Sequence, residues 1–391
     1  MDVMTENKVV PKLRFLEFND NWQQKTLGDV GGLINGLTYS PKDITDDGVL
    51  VLRSSNVQNN QLSFKDNKYV NVKSFNPVKE NDILICVRNG SKRLIGKNCL
   101  IDKKNEGVAF GAFMTIYRSV NNKFIVHLFS LSAYYKKIHQ NLGATINSIN
   151  NNDFKKFKFF FPSLPEQQKI ASFLSAVDEK LQQLTKKKDL LEEYKKGVMQ
   201  KIFSQELRFK DDNGNNYPDW QENKLGNIAT FYNSKRVALT ASDREKGEYP
   251  YYGASGIIDY VKDFIFEGEY ILLGEDGANI VMRNSRLVFL AKGKFWLNNH
   301  AHIFQSKDSN AFLCEALERI NYTKYNTGTA QPKLNSDVVK KIKLNLPSSA
   351  EQQKIANFLS ALDVKIELVI TQIVNTQSFK KGLLQQMFVA A

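Results

Sequence analysis

Four stretches of the chain carry side chains suited to gripping or reading a polyanion. Arg88-Asn89-Gly90-Ser91-Lys92-Arg93, followed by Lys97, combines phosphate-seeking cations with Gly and Asn that suit a loop. Arg and Asn are also the side chains that bind guanine and adenine edges through paired hydrogen bonds, although the same letters fit a plain solvated basic turn. Tyr251-Tyr252-Gly253-Ala254-Ser255-Gly256 offers aromatic and small groups that could lie against bases or sugar-phosphate, or simply close a hairpin. Tyr39, Arg53, Ser55 and Asn56 make a thinner version of the same case, and Asn279 ends a third glycine-bearing stretch that begins at Gly274. The DNA-facing candidates are therefore Tyr39, Arg53, Ser55, Asn56, Arg88, Asn89, Lys92, Arg93, Tyr251, Tyr252, Ser255 and Asn279.

Motifs that could support catalysis are nearly absent from the sequence. The nearest approach to a phosphate-binding loop, Gly90 to Gly96-Lys97, has one residue too many and ends in Asn98. A dinucleotide fingerprint after a strand is missing, and Asn76-Pro77-Val78 fails as the element found in amino-methyltransferases. Pro218-Asp219 with Glu222-Asn223-Lys224 mimics the letters of a nuclease site, but two metal-binding carboxylates must converge from separate strands, and so short a spacing reads as a turn. The first copy of the repeat described below has Asn21-Trp22-Gln23-Gln24-Lys25 there, without the carboxylates. His300-Ala301-His302 could set two imidazoles on one side of a strand; with no third ligand nearby, burial with hydrogen bonds fits better than zinc. The sequence assigns no catalytic residue, no metal site and no cofactor to this chain.

The composition agrees with a binding role. The 391 residues exceed one ordinary domain, and 54 Lys and Arg against 41 Asp and Glu leave a formal charge of +13, which points to a polyanionic partner. Three scattered cysteines, Cys86, Cys99 and Cys314, argue against a disulfide framework and for a reducing compartment. The first ten residues carry Asp2, Glu6 and Lys8 and lack an apolar leader, and no run reaches the roughly 20 apolar residues of a membrane span. A cytoplasmic location without membrane contact is expected.

What positions the candidate residues is a duplication. Glu166-Gln-Gln-Lys-Ile-Ala-Ser-Phe-Leu-Ser-Ala-Val-Asp178 recurs as Glu351-Gln-Gln-Lys-Ile-Ala-Asn-Phe-Leu-Ser-Ala-Leu-Asp363, identical at eleven of thirteen positions with an offset of 185. The heads correspond more loosely: Leu13-Arg14-Phe15 with Leu207-Arg208-Phe209, and Trp22 with Trp220. Ser163 and Ser348 predict helix N-caps, with Glu166 and Glu351 placed to complete capping boxes. Beyond them Ile170, Leu174, Val177, Leu181 and Leu184, then Leu191, Val198 and Ile202, step by three and four, interrupted by Lys188 and Lys195. Ile355, Leu359, Leu362, Ile366 and Val369 repeat the register, so two helices of about 60 Å are expected to pack along each other. These helices carry only +3 of the charge, leaving +10 for the rest. Between head and tail, short apolar runs such as Asp82–Arg88 and Glu269–Gly274 predict two unlike α+β inserts of about 130 residues each. Gly143–Asn150, mirrored by Gly328–Asn335, is expected to close each insert onto its helix.

From end to end this chain resembles the specificity subunit of Type I restriction-modification systems. Two variable domains, each followed by a repeated helix opening Leu164-Pro-Glu-Gln-Gln-Lys-Ile-Ala171 or Ala350-Glu-Gln-Gln-Lys-Ile-Ala356, is that family's pattern; the second copy lacks the proline and is poorer in charge. The resemblance implies an α+β fold: two mixed α/β target-recognition domains in tandem, separated by two long helices that form an antiparallel coiled coil, with pseudo-twofold symmetry. The boundaries fall at 1–161, 162–204, 205–345 and 346–391, and residues beyond Phe388 should lead toward Leu13. The resemblance also implies a non-catalytic subunit that reads a bipartite site in double-stranded DNA and docks two modification subunits, joined in the full complex by two restriction subunits. S-adenosylmethionine, ATP and Mg²⁺ would belong to those partners. Two rivals are a methyltransferase or nuclease with its own active site, and a coiled-coil protein that binds nucleic acid without sequence choice.

Overall fold

The structure, a computed structural model, describes residues 9–143 and 147–389, so Ala144–Ile146 of the expected closing segment and the acidic start of the chain lie outside the described residues. Two compact units form: residues up to Lys186 with those from Thr371 onward, and Lys187–Ile370. The two units share both long helices. The reason is burial, because the apolar stripe at each helix end is part of a unit's own core: Ile170, Leu174, Leu383 and Met387 in the first, Ile202, Ile355 and Leu359 in the second. Among the described residues no helix is long and apolar enough to cross a membrane.

In the first unit the head is fastened to the helix Leu164–Phe203 by one buried carboxylate. Arg14 donates from Nε and Nη2 to the two oxygens of Glu166, both at 2.8 Å, and Trp22 Nε1 adds a third bond at 3.3 Å. The second unit repeats the clamp on Ser349–Met387, with Arg208 donating to Glu351 at 3.3 and 2.8 Å. Glu166 and Glu351 are 1% and 0% exposed. Ser348 Oγ does accept from the Glu351 N–H, at 3.4 Å, as an N-cap should. The reciprocal half of the expected capping box is replaced, since both carboxylates turn to arginine instead of back to the cap. The remaining repeated letters follow suit. Gln167 and Gln352 donate to the carbonyls of Pro162 and Pro347, while Lys169 pairs with Glu17 and Lys354 with Asp212.

Aromatic packing completes each head. Trp22 lies edge-on to Phe388 and Phe124, as Trp220 does to Phe203 and Phe312. Such contacts add about 0.5–1.5 kcal/mol each beyond burial. The Leu13 N–H donates to the Gln386 carbonyl at 2.9 Å, and the Leu207 N–H donates to the Lys201 carbonyl at 3.0 Å. Lys201 and Gln386 are equivalent positions of the repeat, one on each long helix. The C-terminal helix therefore serves the first head as the central helix serves the second.

Within each unit the two helices run antiparallel. Lys380 reaches Asp178 in the first unit and Lys195 reaches Asp363 in the second, the same pair with the helices exchanged. Lys195, which breaks the apolar register, is thereby accounted for, and Lys188 pairs with Asp189 and Glu192 on its own helix. Ile170, Leu174, Leu184, Ile355, Leu359, Leu362, Ile366 and Val369 are buried, and Val177 and Leu181 half-buried. His127 sits beside the Lys380–Asp178 pair. Burial first, then the Lys380 charge, push its pKa down to about 3, so it is neutral and forms no ion pair with Asp178.

Each insert is closed by a two-stranded antiparallel ribbon of the same register, Gln23–Thr26 with Lys158–Phe161 and Gln221–Lys224 with Lys343–Leu346. Inside, the inserts are less unlike than the sequence suggests. The first holds an antiparallel sheet in the order Gly31–Asn35, Met114–Ser119, Ile83–Cys86, Asn98–Leu100; the second holds Ala229–Phe231, Ala301–Ser306, Phe266–Gly274, Val288–Leu297 in the same order. They diverge in what is added. The first unit gains a separate four-stranded sheet built on Val49–Leu52, whereas the second extends its core with the hairpin Lys246–Gly253 and Gly256–Val261. The cysteines are free and buried, with their thiols pushed up by burial.

The clamp gives a stability prediction. Arg208→Met, which strands the Glu351 charge, should destabilise the second unit by about 3 kcal/mol or more, while Arg208→Met with Glu351→Leu should recover much of that loss. Denaturant unfolding followed by tryptophan fluorescence measures both; an Arg208→Met chain as stable as the parent would show that the clamp does not hold the head.

Candidate nucleic-acid interface

In the first unit two candidate stretches meet at the end of the core sheet. Asn89 Nδ2 donates to Ser54 Oγ at 2.9 Å and Lys97 Nζ to the Ser54 carbonyl at 3.2 Å, which sets the Arg88–Lys97 loop against the Arg53–Asn56 turn. Asn89 Oδ1 accepts from the Ser91 N–H, so this side chain shapes the loop. Arg88, Lys92 and Arg93 project from it, exposed, and form no ion pair among the described residues. The Arg88 guanidinium lies 5.6 Å from the ring centroid of Phe113, which is 56% exposed at the start of a core strand. Gly36 makes the neighbouring crossing possible, because a Cβ there would stand 2.2 Å from the Gly111 carbonyl oxygen. Just beyond it, half-buried Tyr39 packs against Val51, Val70 and Ala109.

Several candidates lie inside instead. Asn56 is fully buried, its Oδ1 accepting from the Arg53 N–H at 2.9 Å and its Nδ2 donating to the Ser63 carbonyl at 3.0 Å. Its amide is committed to the turn and has no face for a base. Arg53 is tied to Asp66 at 2.9 Å, and the Ser55 hydroxyl is buried without a protein partner. Tyr251 is 1% exposed, with its hydroxyl on the Leu239 N–H and Arg244 over its ring. Asn279 is half-buried and closes its own loop, bonding both ways with Ser285. The Asn56 and Asn279 amides are consumed by backbone groups of their own turns, whereas the Arg53 guanidinium is held by Asp66 and the Tyr251 hydroxyl by Leu239.

The second unit presents a different surface at the same end of its core. The exposed Ser255 lies in the turn of the added hairpin, and the Ala254 carbonyl approaches Gly274 so closely that a Cβ there would sit 2.6 Å from it. Tyr252 is half-buried and stacks on Phe289. Beneath, Arg236 donates to Glu275 at 2.6 Å. Burial alone would raise the Glu275 carboxyl, but the Arg236 and Lys333 charges hold it below its ordinary value. His302 Nε2 faces the Leu334 carbonyl at 2.7 Å and so carries the proton, while Nδ1 accepts from Asn233 Nδ2 at 2.9 Å. The orientation of Asn233 is fixed by its Oδ1, which accepts from the Ile303 N–H. His302 is therefore neutral, its pKa lowered chiefly by burial, and neither nitrogen is left for a metal. His300, by contrast, is 53% exposed, with Nδ1 2.7 Å from Asp276 Oδ2.

Sequence reasoning missed Phe113, Asp276 and His300. The histidine was visible but read as buried and hydrogen-bonded in preference to a zinc ligand, whereas it is more than half exposed, and the partners of all three come from sheet register rather than from neighbouring letters.

The family model for the Type I restriction modification DNA specificity domain matches residues 19–193 and 217–375, and the chain belongs to that family. It is similar to the StySPI specificity subunit of Salmonella potsdam, 28% identical over 222 residues that make up 53% of this chain and 48% of that protein. It is likewise similar to the EcoprrI specificity subunit of Escherichia coli, at 25% identity over 71% of this chain and 74% of that one. Alignments with several curated relatives cover about a third to a half of those proteins' length. The crystal structure of a Type-I restriction-modification S subunit from M. genitalium shares the fold, with a TM-score of 0.67 at 20% identity, over 98% of this chain and 100% of that one.

Replacing Arg88, Lys92 and Arg93 together by Ala should weaken DNA binding and reduce the magnitude of the logarithmic salt slope by up to about three, since each neutralised phosphate contributes about 0.9. Titrations at several salt concentrations read this directly. Unchanged affinity and slope would place the loop away from the duplex.

Proposed function

We propose that this chain is the DNA-reading, non-catalytic subunit of a Type I restriction-modification complex, each unit reading one part of a bipartite site. The observation that carries this reading is one frame presented twice with different surfaces: the same clamp, closing ribbon and four-stranded core end in exposed cations in one unit and in an acid with an imidazole in the other. A protein that only gripped phosphates would gain nothing from that difference, because backbone contacts carry no sequence information. The long helices, with Tyr194 and Phe379 exposed at equivalent positions of the repeat, suit the docking of two like partners. Those partners would be two modification subunits, which methylate adenine from S-adenosylmethionine, and two restriction subunits using ATP and Mg²⁺. The complex would act in the cytoplasm, where its DNA lies.

Reconstitution tests the division of labour. The purified chain should transfer no methyl group from labelled S-adenosylmethionine to DNA, and addition of its modification subunits should confer transfer to adenine at a single bipartite motif. Methyl transfer by the rigorously purified chain alone would overturn the adaptor reading.

A further inference from the structure

The two core sheets can be superposed residue by residue from their hydrogen bonds. Met114 faces Cys86 as Ala301 faces Gly274. The Val87 N–H donates to the Phe113 carbonyl and the Glu275 N–H to the His300 carbonyl. Ile149 and Leu334, equivalent in the repeat, donate to the carbonyls of Val87 and Glu275. Single bridges join Arg88 to Ser148 and Asp276 to Lys333, and Ser148 and Lys333 are again equivalent in the repeat. Arg88 and Phe113 in the first unit thus occupy the places of Asp276 and His300 in the second.

At these matched places the hydrogen-bonding polarity is reversed. The Arg88 guanidinium has donors only. In the second unit the Asp276 carboxylate can only accept, so the 2.7 Å contact requires His300 Nδ1 to be the donor. Among the described residues the Asp276 carboxylate makes no other side-chain bond, so its second oxygen is left as an acceptor beside the imidazole. Phe113 and His300 are both more than half exposed. Half-exposed Lys333, bridged to Asp276, stands beside Glu275 as the nearby cation.

We propose that this pair of places is where each unit reads a base, with the Asp276 carboxylate, oriented by His300, taking an exocyclic amino group, cytosine N4 or adenine N6, in the second half-site, opposite in kind to the guanine edge that suits Arg88. The inference rests on the reading of the chain as a DNA-specificity subunit. Acceptors facing a base edge select the edges that carry donors, and a negative group beside the backbone rejects DNA in which no donor meets it.

The test is methylome sequencing of a host that expresses the modification subunits with the parent chain, with Asp276→Ala/His300→Ala, or with the near-isosteric Asp276→Asn. Thermal unfolding of each chain is followed alongside. In the double variant one letter of one half-site should become degenerate, with discrimination there falling about 5- to 150-fold, while the other half-site stays intact. Asp276→Asn keeps the shape but adds donors, and should alter preference at the same letter. Both half-sites unchanged in both variants would overturn the proposal and leave DNA recognition standing. Loss spread evenly over both half-sites would overturn it too, as a structural effect. A parent complex without any bipartite motif would instead defeat the proposed function itself.

Discussion

The structure depends on a buried ion pair made twice. Glu166 and Glu351 sit at the first turn of each long helix with almost no exposed surface, and each is satisfied by an arginine from a head that lies far earlier in the chain. A carboxylate so placed cannot be left alone, because removing the guanidinium leaves a desolvated charge. The pair therefore dictates where each head meets each helix. Everything packed around it follows: the Trp22 and Trp220 aromatic clusters, the glutamine bonds to the preceding proline carbonyls, and the backbone bonds from Leu13 and Leu207. The matching inter-helix pairs Lys380–Asp178 and Lys195–Asp363 extend the same repetition along the seam.

A frame fixed in this way leaves the far end of each insert free to vary. The closing ribbons and four core strands are common to both units, so differences accumulate in the added sheet or hairpin and in the loops at the strand ends. Variation there costs little stability where the side chains are exposed, as Arg88, Lys92, Arg93 and Ser255 are. It is also where a change of one residue, from a donor such as Arg88 to an acceptor such as Asp276, reverses what the surface can recognise. The division between a constrained frame and a permissive edge is what a reader of two different half-sites needs.

Much of the frame was legible in the letters. The repeat, the N-caps at Ser163 and Ser348 and the apolar register of both helices are local signals with helical spacing. The clamp was half legible: Glu166 and Glu351 stood out, but their partners Arg14 and Arg208 lie too far away in sequence for a spacing rule to pair them, and a capping box was the nearer explanation. The shared core sheet stayed hidden because insertions shift the offset between copies from 185 in the tails to 198 between Gln23 and Gln221, so equivalent strands no longer align. In the first insert, the exposure of Arg88, Lys92 and Arg93 could be read from charge and loop composition. Asn56 and Tyr251 could not, since whether a polar side chain faces outward depends on which backbone groups the turn leaves unpaired. Asp276 and His300 meet only through the pairing of strands distant in sequence.

The central claim is that the clamp and helices are a neutral holder and the inserts carry the reading. Replacing Gln221–Leu346 by Gln23–Phe161 tests it most directly, because both segments begin and end in ribbons of identical register. Methylome sequencing of a host carrying that chain with its modification subunits should show a motif whose two specified blocks are the same word, the parent's first half-site, with the second parental half-site gone. Persistence of the parent's second half-site in such a chain would contradict the account, for it would mean that the frame reads the DNA and the inserts do not.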